Sequence, residues 1–230
     1  MAYALHVANK NYSSWSLRPW LLLRELGIGF EEVMHPFGQA AGQAESFFEF
    51  SPSGKLPCLR EGETAVWDSL AIAEYVAERH AGVWPSDPIA RAWARCAAAE
   101  MHSGFAALRQ RCSMSCGVRM RLHEQPEPLH RDLARIDALW TEGLARFGGP
   151  FLAGSAFTAV DAFFAPVAFR VQTYGLALSD VAAAYVQRLL GLAGMRQWYA
   201  EALVEPWRDE GHELELRALG EWTADHRVGG

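Results

Sequence analysis

The sequence predicts an α/β domain followed by an all-helical domain. Strand and helix patterns alternate up to residue 81, and the strand signals disappear after residue 88. The chain has 230 residues, half of them hydrophobic, which is long enough for two modest cores. One Gly and two Pro in residues 82–88 mark a break between the two patterns. We therefore expect domains at residues 1–81 and 89–225.

The first domain begins with a strand, a helix and a second strand. Residues 3–8 alternate apolar with smaller or polar side chains, and residues 30–35 have the same character. Between them, an apolar run over residues 17–26 ends at Gly27, a natural helix stop. Such a unit places its two strands parallel, with a right-handed crossover.

The rest of this domain adds a hairpin and two helices. A polar stretch at residues 38–45 leads to a short helix or turn at residues 46–50. Gly and Pro in residues 51–57 mark a loop before two short antiparallel strands, at residues 58–60 and 64–67, and a last helix follows. This order of elements predicts a thioredoxin-like α/β domain with a mixed sheet.

The second domain is predicted to consist of helices, at residues 89–118, 128–147, 158–173, 178–191 and 193–204. At the start of the third, Thr158 and Asp161 form a variant of the capping box, with Asp in place of the usual Glu. Phe157 and Ala162 can form the accompanying hydrophobic staple. The helix itself is apolar on every side, so we expect it to run through the middle of its domain.

Composition excludes several classes of function. Acidic residues outnumber basic ones 27 to 21, and no cluster of Lys and Arg is suited to a phosphate backbone, so we expect no nucleic-acid partner. No apolar run approaches the roughly 20 residues that span a bilayer, and no signal segment is recognisable, which predicts a cytoplasmic protein without a membrane partner. The four cysteines are too few and too irregularly spaced for a disulfide framework or a zinc site, so we expect buried thiols and no metal.

Three serines stand where the first helix begins. Ser13, Ser14 and Ser16 are all candidates for its N-cap, which by itself explains a serine at that place. Two adjacent hydroxyls at the positive end of a helix can also donate hydrogen bonds to an incoming oxygen or sulfur anion. The serine pair is therefore a candidate anion site.

Together these motifs resemble the cytosolic glutathione S-transferases. The resemblance covers nearly the whole chain: the serine-bearing turn, Lys-Leu-Pro at residues 55–57, Asp-Ser at residues 68–69, the linker and the capping box follow the family's order and spacing. Ser-Ser-Trp-Ser-Leu-Arg at residues 13–18 is most similar to the zeta branch, which carries Ser-Ser-Cys-Ser-x-Arg there and includes maleylacetoacetate isomerases. The resemblance implies a homodimer that uses glutathione as co-substrate.

The resemblance also implies how glutathione would bind. The Ser69 hydroxyl and nearby main-chain N–H groups can hold the γ-glutamyl carboxylate, while Asp68 pairs with the ammonium. The bond before Pro57 is cis in that family and presents the main chain of Leu56 to the cysteinyl backbone. Lys55 can reach the glycyl carboxylate. Without the resemblance, the same residues have simpler explanations: Asp68 as a helix cap, Pro57 as the start of an edge strand and Lys55 as a solvated side chain.

The serine pair is the expected stabiliser of the glutathione thiolate. Lowering a thiol pKa by about 2 units takes about 2.7 kcal/mol, and one hydrogen bond to a charged acceptor contributes about 1.5–3 kcal/mol, so one hydroxyl suffices. Alignment with the zeta pattern points to Ser13, whereas counting back four residues from Arg18 points to Ser14. Tyr12 is a weaker candidate. Trp15, which stands in place of the zeta cysteine, is expected to border the same site.

The electrophile pocket is expected between the two domains, against the first long helix of the second. The candidate lining residues are Met101, Phe105, Arg109, Met114 and Arg170. The simpler interpretation is that about half of these residues belong to the hydrophobic core and do not line a pocket. Arg170 lies one turn earlier than the central-helix arginine of the zeta branch, which departs from the isomerase pattern.

We therefore predict a glutathione S-transferase that joins the glutathione thiolate to a hydrophobic electrophile without a metal. A glutathione-dependent isomerase of the maleylacetoacetate type, or a peroxidase, uses the same thiolate and is the nearest alternative. A non-catalytic binding protein that keeps the fold is an alternative from another class.

Overall fold

The amino-terminal domain contains a four-stranded mixed sheet. The computed structural model describes residues 2–37 and 47–228. The strands of the sheet are β1 (Tyr3–Val7), β2 (Phe30–Met34), β3 (Cys58–Glu61) and β4 (Thr64–Trp67). They lie in the order β2-β1-β3-β4, with β1 and β2 parallel and the other neighbours antiparallel. The predicted thioredoxin-like sheet is confirmed.

The segments that connect the strands of this sheet include one α-helix and one short 3₁₀ helix among the described residues. Helix α1 (Ser14–Glu25) connects the two parallel strands, as expected for a strand-helix-strand unit. A single 3₁₀ turn at Phe47–Glu49 lies within the predicted short helix or turn. The polar stretch predicted at residues 38–45 lies outside the described residues.

Most of the remaining chain is helical. The further helices are α2 (Ser69–Ala77), α3 (Pro88–Ser103), α4 (Ala106–Arg111), α5 (Glu127–Phe147), α6 (Ala159–Tyr174), α7 (Asp180–Leu190), α8 (Ala193–Val204) and α9 (Glu210–Leu219). Nearly every residue of α6 is buried, and this helix packs against α1, α3 and α7. The apolar helix predicted to run through the middle of the helical domain is therefore confirmed.

The capping box at the start of α6 is also confirmed. Asp161 Oδ2 accepts the N–H of Thr158 at 2.9 Å, and the reciprocal bond to the Thr158 side chain is present. The other carboxylate oxygen of Asp161 accepts the N–H of Leu152 at 3.0 Å and the hydroxyl of Tyr185 at 2.7 Å. One buried carboxylate thus joins the helix start to the preceding loop and to α7.

The predicted helix over residues 89–118 is wrong beyond residue 103. Helix α3 ends at Ser103, because Gly104 is a poor helix former and Phe105 has a φ of 58°, outside the right-handed helical region. Helix α4 is a separate, shorter segment that begins after Phe105.

The second domain is helical but not all-helical, which corrects the prediction. Strand β5 (Val118–Leu122) pairs antiparallel with β6 (Gly220–Asp225) near the carboxyl end of the chain. Valine, methionine and leucine alternate with arginine along β5, a period of two residues that is typical of a strand. Helix α9, which precedes β6, was also absent from the predicted set.

The contact between the two domains fixes the loop that precedes α1. The Lys10 ammonium lies 2.7 Å from the Glu32 carboxylate. The main-chain oxygen of Lys10 accepts the indole N–H of Trp198 on α8 at 2.8 Å, and its N–H donates to Glu205 at 2.6 Å. Trp198 also meets Trp20 of α1 edge-on, with ring centroids 5.1 Å apart. These contacts position the serines at the start of α1.

The cysteines differ in exposure. Cys58, Cys112 and Cys116 are buried, whereas Cys96 is exposed on α3, so the prediction of buried thiols is wrong for Cys96. Its helix turns that position away from the core, although the residues that follow it are apolar alanines. Burial raises the pKa of the Cys112 thiol to about 12.

Two findings concern the whole described chain. Among residues 2–37 and 47–228, no helix is both long and apolar enough to cross a membrane. Within the same ranges, no group of three or more His, Cys, Asp or Glu side chains is placed to hold a metal ion. The domain limits at residues 1–81 and 89–225 stay a prediction.

Replacing Asp161 with alanine is expected to destabilise the fold. The change leaves the buried donors of Leu152, Thr158 and Tyr185 without their acceptor, so we expect the free energy of unfolding to fall by about 3 kcal/mol in urea denaturation. Asp180→Ala, at an exposed acid in the first turn of α7, is the control and should cost less than about 1 kcal/mol. Equal losses would contradict the role given to Asp161.

Candidate active site

Ser13 is the N-cap of α1, and its hydroxyl is used within the fold. Its Oγ accepts the N–H of Ser16 at 3.3 Å and donates to the Oγ of Ser16 at 2.8 Å. Ser16 Oγ also accepts the N–H of Ala8 at 3.1 Å, next to the end of β1. The proton of Ser13 is therefore already engaged.

Ser14, the first residue of α1, has a different environment. Its Oγ accepts a hydrogen bond from Nη2 of Arg170 on α6 at 3.4 Å. In the described part of the chain, no acceptor takes the hydroxyl proton of Ser14. The Ser14 hydroxyl can therefore donate to a ligand while it accepts from a cationic group, an arrangement that strengthens a donor.

A cavity of about 460 Å³ lies beside Asp68, at the end of the sheet. We call it the Asp68 cavity, and its lining residues are Trp15, Ser53, Lys55, Leu56, Pro57, Trp67, Asp68 and Ser69. Six of these residues are the ones predicted to contact glutathione, apart from the serines assigned to its sulfur: Trp15, Lys55, Leu56, Pro57, Asp68 and Ser69.

Asp68 and Ser69 hold unusual positions at the start of α2. Asp68 has a φ of 75°, a conformation that L-residues rarely adopt and that costs of order 1–3 kcal/mol. Its Oδ1 caps the helix by accepting the N–H of Leu70 at 2.8 Å, and its Oδ2 lies 3.4 Å from Nε2 of His102. The Ser69 hydroxyl is buried and has no partner among the described residues.

The loop before β3 supplies a free stretch of main chain. The bond between Leu56 and Pro57 is cis, as the resemblance implied. Neither the N–H nor the C=O of Leu56 is hydrogen-bonded within the described ranges. The side chain of Lys55 is exposed, while its main-chain oxygen accepts the hydroxyl of Ser51 at 2.7 Å.

A second cavity of about 460 Å³ lies between the two domains. We call it the Ser14 cavity, and its lining residues are Tyr12, Ser13, Ser14, Trp15, Phe37, Phe47, Gly54, Lys55, Leu56, Arg109, Ser113, Met114, Arg170, His212 and Glu215. Trp15, Lys55 and Leu56 line both cavities, so the two adjoin.

The predicted electrophile-pocket residues fall into two groups. Arg109, Met114 and Arg170 line the Ser14 cavity. Met101 is fully buried in α3, and Phe105 is 7% exposed; neither lines either cavity. Both belong to the hydrophobic core, as the simpler interpretation of the sequence had it.

Tyr12 borders the Ser14 cavity but is held by other groups. Its hydroxyl donates to Glu213 at 2.5 Å and accepts from Arg227 at 3.1 Å. Burial and the nearby Glu213 carboxylate raise the pKa of Tyr12. Its proton is committed to a carboxylate, which makes it a poor donor to a thiolate.

Three arginines surround the wall shared by the two cavities. The Arg18 and Arg109 guanidinium carbons lie 4.2 Å and 4.8 Å from the centroid of the Trp15 ring. Arg18 is fully buried, and none of its guanidinium nitrogens has a hydrogen-bond partner in the described part of the chain. Burial and the two neighbouring arginines lower the pKa of Arg18, and burial with Arg109 lowers that of Arg170 to about 10.

The site contains residues that the sequence analysis missed. Arg18 lies within the quoted serine motif but was given no role. His102 lies against Asp68, and burial lowers the pKa of its ring despite the opposing effect of Asp68. His212 and Glu215 lie on α9, where glutamate and leucine alternate over residues 213–216 and the local pattern does not indicate a helix.

Comparison with known proteins agrees with this architecture. A family model described as "Glutathione S-transferase, N-terminal domain" matches residues 12–79. A glutathione S-transferase of Pseudomonas putida is 30% identical over 149 residues, which cover 63% of this chain and 64% of that protein. The match thus spans just under two thirds of that relative's length.

Two further matches extend over more of the chain. A stringent starvation protein A homolog of Pasteurella multocida is 23% identical over 186 residues, which cover 80% of this chain and 82% of that protein. The crystal structure of a glutathione transferase homolog from Burkholderia, with bound glutathione, has a TM-score of 0.66 and 21% identity, and covers 88% of this chain and 98% of that one. The fold is that of the glutathione S-transferases.

Replacing Ser69 with alanine is expected to leave the fold intact. Its buried hydroxyl has no partner, so removing it should keep or slightly raise the free energy of unfolding, within about 1 kcal/mol. Ser16→Ala is the matched change at a buried hydroxyl that the fold uses, and it should cost about 1–3 kcal/mol in the same urea titration. If Ser69→Ala cost as much as Ser16→Ala, the hydroxyl would have a structural role.

Proposed function

We propose that the protein is a glutathione transferase of the serine type. Glutathione binds in the Asp68 cavity with its sulfur directed to Ser14, and the electrophile binds in the Ser14 cavity. The observation that carries this proposal is the continuity of the two cavities along Trp15, Lys55 and Leu56, with the free hydroxyl of Ser14 in the second. An extended tripeptide in one cavity can thus present its central side chain to the other.

The groups in the Asp68 cavity match the ends and the middle of glutathione. The buried Ser69 hydroxyl and the start of α2 suit the γ-glutamyl carboxylate, and the Asp68 carboxylate suits the ammonium. The unpaired main chain of Leu56 suits the cysteinyl backbone, in the manner of strand addition. Lys55 is exposed beside them and can neutralise the glycyl carboxylate.

Between the two serines, the contacts favour Ser14 as the thiolate stabiliser. The proton of Ser13 is already donated to Ser16, whereas Ser14 accepts from Arg170 and keeps its proton free. A hydrogen bond to a charged acceptor contributes about 1.5–3 kcal/mol and a helix end about 0.3–1 kcal/mol, which together match the 2.7 kcal/mol needed for about 2 pKa units. Arg170 is in this scheme a positioning residue for the Ser14 hydroxyl.

The proposed reaction follows from a stabilised thiolate. The thiol proton passes to solvent, the sulfur attacks an electrophilic carbon of the co-substrate, and a leaving group departs with the electron pair of the bond that breaks. A peroxidase or an isomerase would begin from the same thiolate. The zeta-like branch and a homodimeric state remain predictions from the resemblance, and a cytoplasmic location remains a prediction from the sequence pattern.

A non-catalytic binding protein is the second candidate. The similarity to a stringent starvation protein A homolog extends over more of the chain than the similarity to the Pseudomonas transferase. The free hydrogen-bonding groups of Ser69 and Leu56 suit a bound ligand in either candidate. The free hydroxyl proton of Ser14 favours the enzyme, because only the enzyme needs a stabilised thiolate.

Ser14→Ala is expected to lower turnover more than Ser13→Ala. Loss of one donor to the thiolate should reduce kcat/KM at pH 7 by about 10- to 100-fold and raise the pKa of bound glutathione by about 1–2 units. Because the charged form loses support, activity should recover as the pH rises, and the thiolate absorbance of the complex should report the same shift. Ser13→Ala removes the N-cap, so it should cost about 0.5–2 kcal/mol of stability. The reverse order of the two effects on turnover would contradict the assignment.

Glutathione binding and turnover together distinguish the enzyme from the binder. We expect retention on a glutathione resin, and Ser69→Ala should weaken glutathione binding by about tenfold in calorimetry, while Asp180→Ala, at a residue that lines neither cavity, should not. Turnover should follow with at least one of a panel of neutral and carboxylate-bearing electrophiles. Retention without turnover on the whole panel would favour the binding protein.

A further inference from the structure

Asp209 and His212 form a hydrogen-bonded pair at the start of α9. Asp209 is the N-cap residue of this helix, a place where an Asp side chain usually accepts a main-chain N–H of the first turn. Here the side chain makes no such capping bond, and its Oδ2 instead contacts Nδ1 of the His212 ring. The carboxylate is thus used to orient an imidazole and not to cap the helix.

Aromatic rings fix the plane of the His212 ring. It is stacked on the ring of Tyr12, with centroids 5.1 Å apart and an angle of 20° between the planes, and on the ring of Phe37 at 5.9 Å and 16°. Glu213, the next residue of α9, accepts the Tyr12 hydroxyl at 2.5 Å. This turn of α9 is therefore held against the loop that precedes α1, and the imidazole is held with it.

The second ring nitrogen of His212, Nε2, is available to a ligand. An ionised carboxylate only accepts hydrogen bonds, so the contact with Asp209 places the proton of the neutral ring on Nδ1 and leaves a lone pair on Nε2. Within residues 2–37 and 47–228, Nε2 has no hydrogen-bond partner. The His212 side chain is 34% exposed and lines the Ser14 cavity. An imidazole oriented by a carboxylate in this way can accept a proton at Nε2 and release it again.

Some electrophiles need such a group and others do not. When sulfur displaces a halide, the leaving ion is a weak base and needs no proton. When sulfur opens an epoxide, the carbon–oxygen bond breaks with its electron pair on oxygen, and the alkoxide that forms is a strong base that takes up a proton. Other groups on the cavity lining are poor sources of it, because Arg109 and Arg170 do not release their protons and Tyr12 donates its own to Glu213.

We infer that His212, oriented by Asp209, is the proton carrier of the Ser14 cavity. As the glutathione thiolate forms, the thiol proton moves to Nε2 of His212, and the charged ring stays paired with the Asp209 carboxylate. The sulfur then attacks a ring carbon of the epoxide, and Nε2 returns the proton to the oxygen of the opened ring, which leaves the imidazole neutral. With a halide, the proton passes on to solvent. This inference rests on the proposed function and gives the thiol proton an acceptor within the cavity.

The test compares two electrophiles that share a 4-nitrophenyl group, 2-(4-nitrophenyl)oxirane and 4-nitrobenzyl chloride. Attack on the first produces an alkoxide, and attack on the second releases chloride. At saturating glutathione, His212→Gln should lower kcat/KM for the epoxide by about 100-fold and for the chloride by less than about threefold. The reaction of the chloride reports any general damage to the cavity or to the thiolate, so the difference between the two losses measures proton transfer alone.

Two further variants accompany His212→Gln. Asp209→Asn keeps the size of the side chain but removes the carboxylate that fixes the proton on Nδ1, so it should lower kcat/KM for the epoxide by about tenfold or more and leave the chloride nearly unchanged. His226→Gln is the matched control in the same carboxyl-terminal segment. His226 is exposed and lines neither cavity, so this change should leave both reactions as they are.

The outcomes separate the inference from the proposed function. Equal losses with both electrophiles in His212→Gln, an unchanged epoxide reaction, or a wild type that turns over the chloride alone would overturn the role of His212. In each of these cases, wild-type turnover of the chloride would still uphold the proposed function. Wild-type turnover of neither electrophile, despite binding of glutathione, would contradict the proposed function and the inference together.

Discussion

The packing of α1 against α6 is the constraint on which the candidate site depends. It buries α6 on nearly every side and sets Arg170 beside the first residue of α1, so that Ser14 Oγ accepts a hydrogen bond across the domain contact. The loop before α1 is held from the other direction, where Lys10 contacts Trp198 and Glu205. A serine at a helix start is common, but a serine positioned by two separate contacts with the helical domain is a precise donor.

The site is also defined by groups that the fold leaves unused. Ser69 Oγ, the Leu56 main chain and Nη1 of Arg170 have no partners in the described chain, although buried polar groups usually do. Asp68 adds a backbone conformation that costs free energy. All four of these residues line the two adjoining cavities. A ligand that carries an anionic end, a peptide backbone and a thiol satisfies most of these groups together.

The sequence was sufficient for the mixed sheet and the central helix, because each rests on local signals: alternation, capping residues and turn residues. The glutathione contacts assigned to residues of the Asp68 cavity came from the family resemblance and stay a prediction. The sequence was insufficient where tertiary contacts decide. The pairing of β5 with a strand about a hundred residues later depends on a partner that no local pattern names. Likewise, the choice between Ser13 and Ser14 depends on which hydroxyl Ser16 occupies and which one Arg170 reaches.

The most direct measurement is a crystal structure of the protein with glutathione bound. The account predicts a peptide in the Asp68 cavity, with its γ-glutamyl carboxylate on Ser69, its cysteinyl backbone on Leu56 and its sulfur within hydrogen-bonding distance of Ser14 Oγ. A sulfur nearer to Ser13 or Tyr12 than to Ser14, or a cavity that stays free of the peptide at saturating concentration, would contradict it.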